Sequence, residues 1–116
     1  MSVSFDRHMK CPVARAARVL EGRWTALILR EFFLRGPRKY QQLQDALVGI
    51  APTTLSARLK DLEAEGVLKR RIYQEHPPRA KYVLTVKGQA LENILLAMRD
   101  WGNSQGKQQG NLEEGH

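Results

Sequence analysis

The spacing of apolar residues changes at Gly66, and this change constrains the fold of the chain more than any other feature. Before Gly66, apolar side chains recur every three or four residues, as in amphipathic helices. After it, the segments 67–73 and 80–84 are short and rich in β-branched and aromatic residues, which is typical of strands. A polar, proline-bearing stretch, 74–79, joins them. The sequence therefore predicts a group of helices followed by a β-hairpin.

Four helices are predicted before the hairpin. Glycine and proline residues separate them, and the second helix is apolar nearly all round, which places it in the middle of the core. They span approximately residues 12–20, 24–34, 41–47 and 52–65. After the hairpin, Thr85 is placed to cap a last helix over about 86–101. From Gly102 onward the chain has little to bury, which favours a flexible tail.

The third and fourth helices are short and are joined by a tight turn that contains Gly49. Two such helices followed by a hairpin make a winged helix-turn-helix. The predicted class is therefore α+β and mainly α, with a β-hairpin wing. We expect an N-terminal arm over 1–10, the folded domain over 11–102 and a tail over 103–116.

Charge is distributed unevenly along the 116 residues, which carry 19 Lys and Arg against 12 Asp and Glu. Residues 1–35 carry seven basic and three acidic side chains, and residues 36–81 carry nine and five. Residues 82–116 carry three basic and four acidic side chains, so the surplus lies in the first two thirds. A basic surplus is compatible with simple solubility, but it also suits a polyanionic partner such as nucleic acid.

The fourth predicted helix has the geometry of a recognition helix. Its apolar stripe, Leu55, Leu59 and Leu62, must face the core, so small and polar residues occupy the opposite side. Threonine and alanine allow close approach to base edges, and a lysine farther along suits a phosphate. A merely solvated polar face is the alternative for this helix considered alone.

The predicted hairpin is basic, and this favours DNA binding over a merely solvated surface. Arg79 lies near its tip, where it could reach a narrow minor groove or its phosphates. Strand alternation places Lys69 and Arg71 on one face and Arg70 on the other. The predicted DNA-binding residues are Lys39, Thr53, Thr54, Ser56, Ala57, Arg58, Lys60, Arg71, Arg79 and Lys81.

Two other kinds of function compete with DNA binding. An enzyme is disfavoured because His8, His76 and His116 lack metal-ligand spacing and there is no Gly-rich phosphate loop or nucleophile motif. No metal or cofactor is therefore expected. A winged helix used only for protein–protein contact is the second alternative, and the basic wing argues against it.

The first residues lack a signal-peptide pattern, so we expect a cytoplasmic, nucleoid-associated protein.

The order of several short motifs resembles that of the HxlR-type winged-helix regulators, relatives of the MarR group, over about residues 11–102. The motifs are Cys11-Pro12-Val13, Glu21-Gly22-Arg23-Trp24-Thr25, Leu27-Ile28-Leu29-Arg30, Gly36-Pro37-Arg38, Leu47-Val48-Gly49-Ile50, Leu55-Ser56-Ala57-Arg58-Leu59, Leu62-Glu63-Ala64-Glu65-Gly66, Pro77-Pro78-Arg79-Ala80-Lys81-Tyr82 and Leu84-Thr85-Val86-Lys87-Gly88. The resemblance implies a homodimer that places one recognition helix in each half-site of a roughly palindromic operator.

The resemblance also implies which residues pair the subunits, and it shows where this chain departs from the family pattern. The implied dimer contacts, on the first and last helices, are Val13, Leu20, Leu91, Ile94, Leu95, Met98 and Trp101. Ala51 stands where the fourth helix usually has a capping Ser or Thr. Gln41 and Gln42 stand where the third helix usually starts with Ser and Glu.

Cys11 is the one cysteine, which excludes an internal disulfide framework and a Cys-cluster zinc site. It lies at a predicted helix N-terminus near Arg7, His8, Lys10 and Arg15, and both features favour the reactive thiolate. The sequence leaves two interpretations open, a redox or electrophile sensor and a small buried apolar residue that packs the dimer. The resemblance favours the sensor, because some members of this family sense oxidants through a cysteine at this place.

Overall fold

A computed structural model describes residues 10–114, with side chains as far as Gly106. Arg7, His8, His116 and all of the predicted arm except Lys10 lie outside the described residues. The elements, in chain order, are α1 Pro12–Val19, α2 Thr25–Arg35, α3 Tyr40–Ala46, α4 Pro52–Ala64, β1 Leu68–Glu75, β2 Pro78–Leu84, α5 Val86–Gln89 and α6 Glu92–Glu114. The predicted winged helix-turn-helix architecture is confirmed.

The core is built around α2, as its nearly all-round apolar sequence predicts. Ile28 and Leu29 are completely buried, and α4 buries the stripe Leu55, Leu59 and Leu62 against them. Because this stripe lies on one side of α4, the opposite side of the helix is left at the surface. The predicted orientation of this helix, with its apolar stripe toward the core, is therefore confirmed.

The turn between α3 and α4 is held by side chains on both of its sides. Gln44 Nε2 donates a hydrogen bond of 2.8 Å to the carbonyl oxygen of Ile50. The hydroxyl of Tyr40 donates one of 3.0 Å to the carbonyl oxygen of Pro52. At the turn, Gly49 has φ +94°, a conformation that side-chain-bearing residues rarely adopt. These contacts fix the orientation of α4 relative to α3.

The hairpin is longer than the sequence predicts. The strands pair antiparallel as far as Glu75 and Pro78, so the six-residue loop predicted over 74–79 is wrong. A ladder needs only backbone partners, and the exposed polar side chains here do not oppose it. Between Ile72 and Gln74 the register shifts, as in a β-bulge. Arg38 adds an isolated bridge, exchanging two backbone hydrogen bonds of 3.0 and 2.7 Å with Tyr82.

The region after the hairpin also differs from its prediction. The cap at Thr85 is confirmed, since its Oγ1 accepts a hydrogen bond of 3.0 Å from the Gly88 amide. The single helix predicted over 86–101 is wrong, because α5 and α6 are separate helices. At the break, the Leu91 amide bonds to the Gly88 carbonyl, three residues back rather than four, and Leu91 packs against the core.

The last helix continues beyond Trp101 to Glu114, so residues 103–114 are helical rather than an irregular tail. Gly102 and Gly106 each cost about 1 kcal/mol relative to alanine in a helix. Propagation of a helix that is already nucleated overrides such single residues. Of the helices in residues 10–114, none combines the length and the apolar character needed to cross a membrane.

Candidate nucleic-acid interface

The side of α4 that faces away from the core presents small and polar side chains, as predicted. Thr53, Ala57 and Lys60 are exposed and Thr54 is half-buried. The helix begins with Pro52 at its first position, after the N-cap residue Ala51. Alanine has no side-chain oxygen to accept from the first backbone amides. The N-cap residue therefore does not offset the partial positive charge of this helix end.

Arg58 and Ser56 are placed differently from the other predicted residues of α4. The Arg58 guanidinium forms an ion pair of 2.8 Å with Asp61, and a Cβ atom at Gly22 would lie 3.6 Å from its Nη1. It therefore points to the turn between α1 and α2. Ser56 Oγ donates a 3.4 Å hydrogen bond to the Tyr40 hydroxyl. Both side chains have partners within the protein, which the helical pattern alone does not reveal.

A groove separates α4 from the hairpin, and it is lined by Ser56, Lys60, Glu63, Arg70 and Tyr82. Arg70 Nε lies 3.3 Å from Glu63 Oε2, which ties the first strand of the wing to α4. Burial raises the pKa of the Tyr82 phenol above its ordinary value, and the negative charge of Glu63 raises it further. This face of the wing thus contacts α4, and it carries both acidic and basic side chains.

The opposite face of the hairpin carries the predicted basic residues. Arg71 lies directly across from Lys81, and Lys69 lies across from buried Val83. Arg79 is exposed and is the second residue of β2, separated from the two-residue turn by Pro78. The alternation predicted for Lys69, Arg70 and Arg71 agrees with this register. Arg71 also lines a cleft beside the Gly36-Pro37 turn, so it lies on a different face of the domain from Arg70.

Lys39 lies at the N-cap of α3, close to the wing. Its Nζ atom is 5.0 Å from the centroid of the Tyr73 ring, a cation–π distance. Tyr73 is the residue at which the register of the hairpin shifts. The Lys39 amide donates a 2.8 Å hydrogen bond to Gln42 Oε1. Gln42 therefore keeps one half of a capping box, although the sequence departs from the family pattern at this position.

Arg23 and Trp24 also line this region, although the sequence does not predict them as DNA contacts. A groove between the α1–α2 turn and α4 is lined by Gly22, Arg23, Trp24, Thr53, Thr54, Ala57 and Arg58. The guanidinium carbon of Arg23 lies 4.7 Å from the centroid of the Trp24 ring. The basic turn motif was visible in the sequence, but its position beside α4 depends on tertiary packing.

Cys11 is exposed and lies at the N-cap of α1. Its carbonyl oxygen accepts a hydrogen bond of 3.0 Å from the Arg15 amide, which begins the helix. In a single copy of the described chain, the side chain is therefore accessible to solvent. Arg7 and His8, which the sequence places near it, lie outside the described residues.

The residues expected to pair two subunits divide into two sets. Leu20, Leu91 and Leu95 pack against the core of their own chain. The remaining four are exposed, with relative exposures of 75% for Val13, 37% for Ile94, 49% for Met98 and 69% for Trp101. The first set thus contributes to the domain itself, and the second set is a row of apolar side chains at the surface of α1 and α6.

The comparisons with known proteins agree with this geometry. The model of the HxlR-like helix-turn-helix family matches residues 19–110. The HTH-type transcriptional regulator sll1512 of Synechocystis is 39% identical over 99 residues, which cover 85% of this chain and 73% of that protein. The redox regulator HypR in its reduced form superposes with a TM-score of 0.75 at 31% identity, covering 81% of this chain and 92% of HypR.

A second solved structure, the reduced form of the transcriptional regulator YodB from Bacillus subtilis, has a TM-score of 0.69 at 31% identity. It covers 80% of this chain and 91% of YodB. The family match spans the helix-turn-helix, the wing and most of α6, and the likeness in sequence extends over most of each relative. The chain belongs to the HxlR-like helix-turn-helix family, whose members that resemble it are named as transcriptional regulators.

Proposed function

We propose that this protein is a sequence-specific regulator of transcription that binds double-stranded DNA as a homodimer. The observation that carries the proposal is the exposed N-terminal half of α4, where Thr53 and Ala57 stand at the surface of a rigidly held helix. Tyr40 and Gln44 fix the preceding turn through hydrogen bonds to backbone carbonyls. A recognition helix must be held in this way to present its side chains to a groove.

In the proposed complex, α4 lies in the major groove. The threonine hydroxyls can donate to or accept from base edges, and the methyl groups of Thr53 and Ala57 can contact thymine methyls. Lys60, two turns from the start of α4, suits a backbone phosphate. The wing follows the adjacent minor groove or its phosphates, with Arg79 at the tip and Arg71 and Lys81 behind it.

A second copy of the chain is the partner that we assign to the exposed apolar residues on α1 and α6. Val13, Ile94, Met98 and Trp101 expose large apolar areas that isolated domains usually cover. A two-fold axis through this surface would set two α4 helices in successive major-groove segments of a pseudo-palindromic operator. Such a regulator would act at the nucleoid, in the cytoplasm.

Selection from a random duplex library tests the proposal. The protein is incubated with the library, bound duplexes are recovered, and the enriched sequences are read. We expect an inverted repeat whose half-sites are about one helical turn apart. A Trp101→Asp variant should sediment as a monomer and lose affinity for the full site. Failure of the wild-type protein to enrich any duplex would contradict DNA binding and favour the protein–protein interaction module.

We also propose that Cys11 makes DNA binding responsive to oxidants. Support comes from its exposure and from two similar proteins, HypR, described as a redox regulator, and YodB, solved in a diamide-treated form. Diamide takes two hydrogens from a pair of thiols, which join as a disulfide while diamide becomes the hydrazine. Since each chain has one cysteine, the second thiol must come from another copy or from a small thiol.

A Cys11→Ser variant separates the sensor from the packing interpretation. We expect the variant to bind the selected duplex normally and to keep that affinity in diamide, whereas the wild-type affinity changes. Gel electrophoresis without reductant distinguishes a cross-linked dimer from a mixed disulfide with a small thiol. An equal diamide response of wild type and variant would exclude the sensor role.

A further inference from the structure

The groove between the α1–α2 turn and α4 combines features that suit an anion. Arg23 and Trp24 form one wall, and Thr53, Thr54 and Ala57 form the other. The groove is open to solvent, and its second wall, Thr53, Thr54 and Ala57, is the recognition surface to which we assign the base contacts. Whatever α4 binds must therefore pass close to Arg23.

The positive charge of Arg23 is available at this groove, and that of Arg58 is partly neutralised. Arg58 lies 2.8 Å from Asp61, a neighbour on its own helix. Arg23 is exposed, and its guanidinium stacks 4.7 Å from the Trp24 ring centroid. Stacking leaves the N–H groups at the edge of a guanidinium free to donate, and it restricts the side chain to fewer conformations.

Two helix ends add to this charge. Trp24 is the N-cap of α2, and Thr53 and Thr54 lie in the first turn of α4. Neither N-cap residue, Trp24 or Ala51, has a side-chain oxygen that could accept from the first amides. Each helix N-terminus carries a partial positive charge, so both favour an anion placed between them.

We propose that this groove binds a phosphate of the DNA backbone beside the major groove that α4 enters, with Arg23 donating to the phosphate oxygens and Trp24 positioning Arg23. This inference rests on the proposed function. The ligand is DNA because Thr53 and Thr54 belong to both the groove and the recognition surface, so the two are continuous. One arginine in an open groove holds a free anion weakly, whereas a duplex docked by α4 would deliver its phosphate at high effective concentration.

The test compares Arg23→Gln with wild type in duplex binding, measured by fluorescence anisotropy over a range of salt concentrations. We expect affinity for the selected duplex and for a scrambled duplex to fall by similar factors, each about tenfold. The salt slope should become shallower by about 0.9, the value for one phosphate contact. Arg23→Lys should keep the slope, and Arg15→Gln, which removes the same charge from α1, should change neither quantity.

A spectroscopic measurement checks the location of the contact independently. The chain has two tryptophans, Trp24 and Trp101, and labelling with fluorotryptophan gives each its own fluorine NMR signal without a substitution in the proposed dimer surface. We expect duplex DNA to shift the signal of Trp24, which is assigned by its absence from a labelled Trp24→Phe sample. Wild-type affinity and slope in Arg23→Gln would overturn the inference while leaving the proposed function intact. If neither the wild type nor Arg15→Gln binds duplex DNA measurably, the proposed function itself would be overturned.

Discussion

Arg71 and Lys81 lie directly opposite each other across the two strands of the wing. Like charges in a cross-strand pair destabilise a hairpin, by roughly 0.2–1 kcal/mol per pair relative to a neutral pair. A phosphate bound beside the two side chains would remove this repulsion. The pair therefore destabilises the hairpin of the free protein, and binding of DNA in the proposed complex would remove this destabilisation.

A Lys81→Glu variant tests this relationship. We expect its free energy of unfolding in urea at low salt to exceed that of wild type by about 0.5 kcal/mol, because Glu attracts Arg71. Its affinity for duplex DNA should fall. The matched control is the same substitution in an Arg71→Gln background, where the new glutamate has no cation directly across the strands. A gain in stability of the same size in the control would show that the Arg71–Lys81 repulsion is not its cause.

Gly88 lies where the polypeptide has no room for a side chain. A Cβ atom there would be 2.2 Å from the carbonyl oxygen of Val67, which is backbone and cannot rotate away. We expect Gly88→Ala to lower the free energy of unfolding by about 1–3 kcal/mol. Gly102→Ala is the control, because a Cβ atom at Gly102 has no neighbour within 4 Å among the described residues and alanine favours helix by about 1 kcal/mol. Equal effects of the two substitutions would contradict the proposed contact.

Ala51 leaves the first amides of α4 without a side-chain acceptor, so a capping residue should stabilise the helix. We expect Ala51→Ser to raise the free energy of unfolding by about 1 kcal/mol, measured at a fixed protein concentration. Ala51→Val, which cannot cap, should give no gain. If the serine variant is no more stable than the valine variant, the N-terminus of α4 already has another partner.

Tyr82 makes the stability of the fold sensitive to alkaline pH. Burial and the nearby Glu63 raise the pKa of its phenol above the ordinary value of 10.0, so the folded state holds the proton when the unfolded state has released it. The contribution of Tyr82 to the free energy of unfolding is fully present below about pH 10, and it is lost as the pH rises through the folded-state pKa. We expect Tyr82→Phe to lose less stability than wild type between pH 9 and 11 (an approximate range). Parallel pH profiles would contradict the raised pKa.

The helices before the hairpin could be predicted from the sequence because each has a strong apolar stripe or a glycine or proline boundary. Gly66 marks the end of α4, and Pro52 marks its beginning. The extra length of the hairpin and of α6 could not be predicted, since exposed polar residues in these segments are compatible with both regular and irregular backbone. The sequence pattern in such segments is weak, so strand pairing or helix propagation determines whether they form regular structure.

The candidate site was predictable where it depends on one element and unpredictable where elements meet. The exposed side of α4 follows from its stripe, and strand alternation separates Arg70 from Arg71. The ion pair of Arg58 with Asp61 and the position of Arg23 beside Thr53 depend on packing and rotamers. No spacing rule in a single sequence reports these relationships.

The most direct test of the account is the salt dependence of duplex binding by wild type and by Arg79→Ala, which truncates the exposed arginine at the wing tip. We expect the logarithm of wild-type affinity to fall linearly with the logarithm of salt concentration, and the variant to bind more weakly with a slope shallower by about 0.9. The selected and scrambled duplexes should show the same change in slope. A wild-type protein without measurable duplex affinity, or a variant with an unchanged slope, would contradict the claim that this winged helix binds DNA through its α4 helix and basic wing.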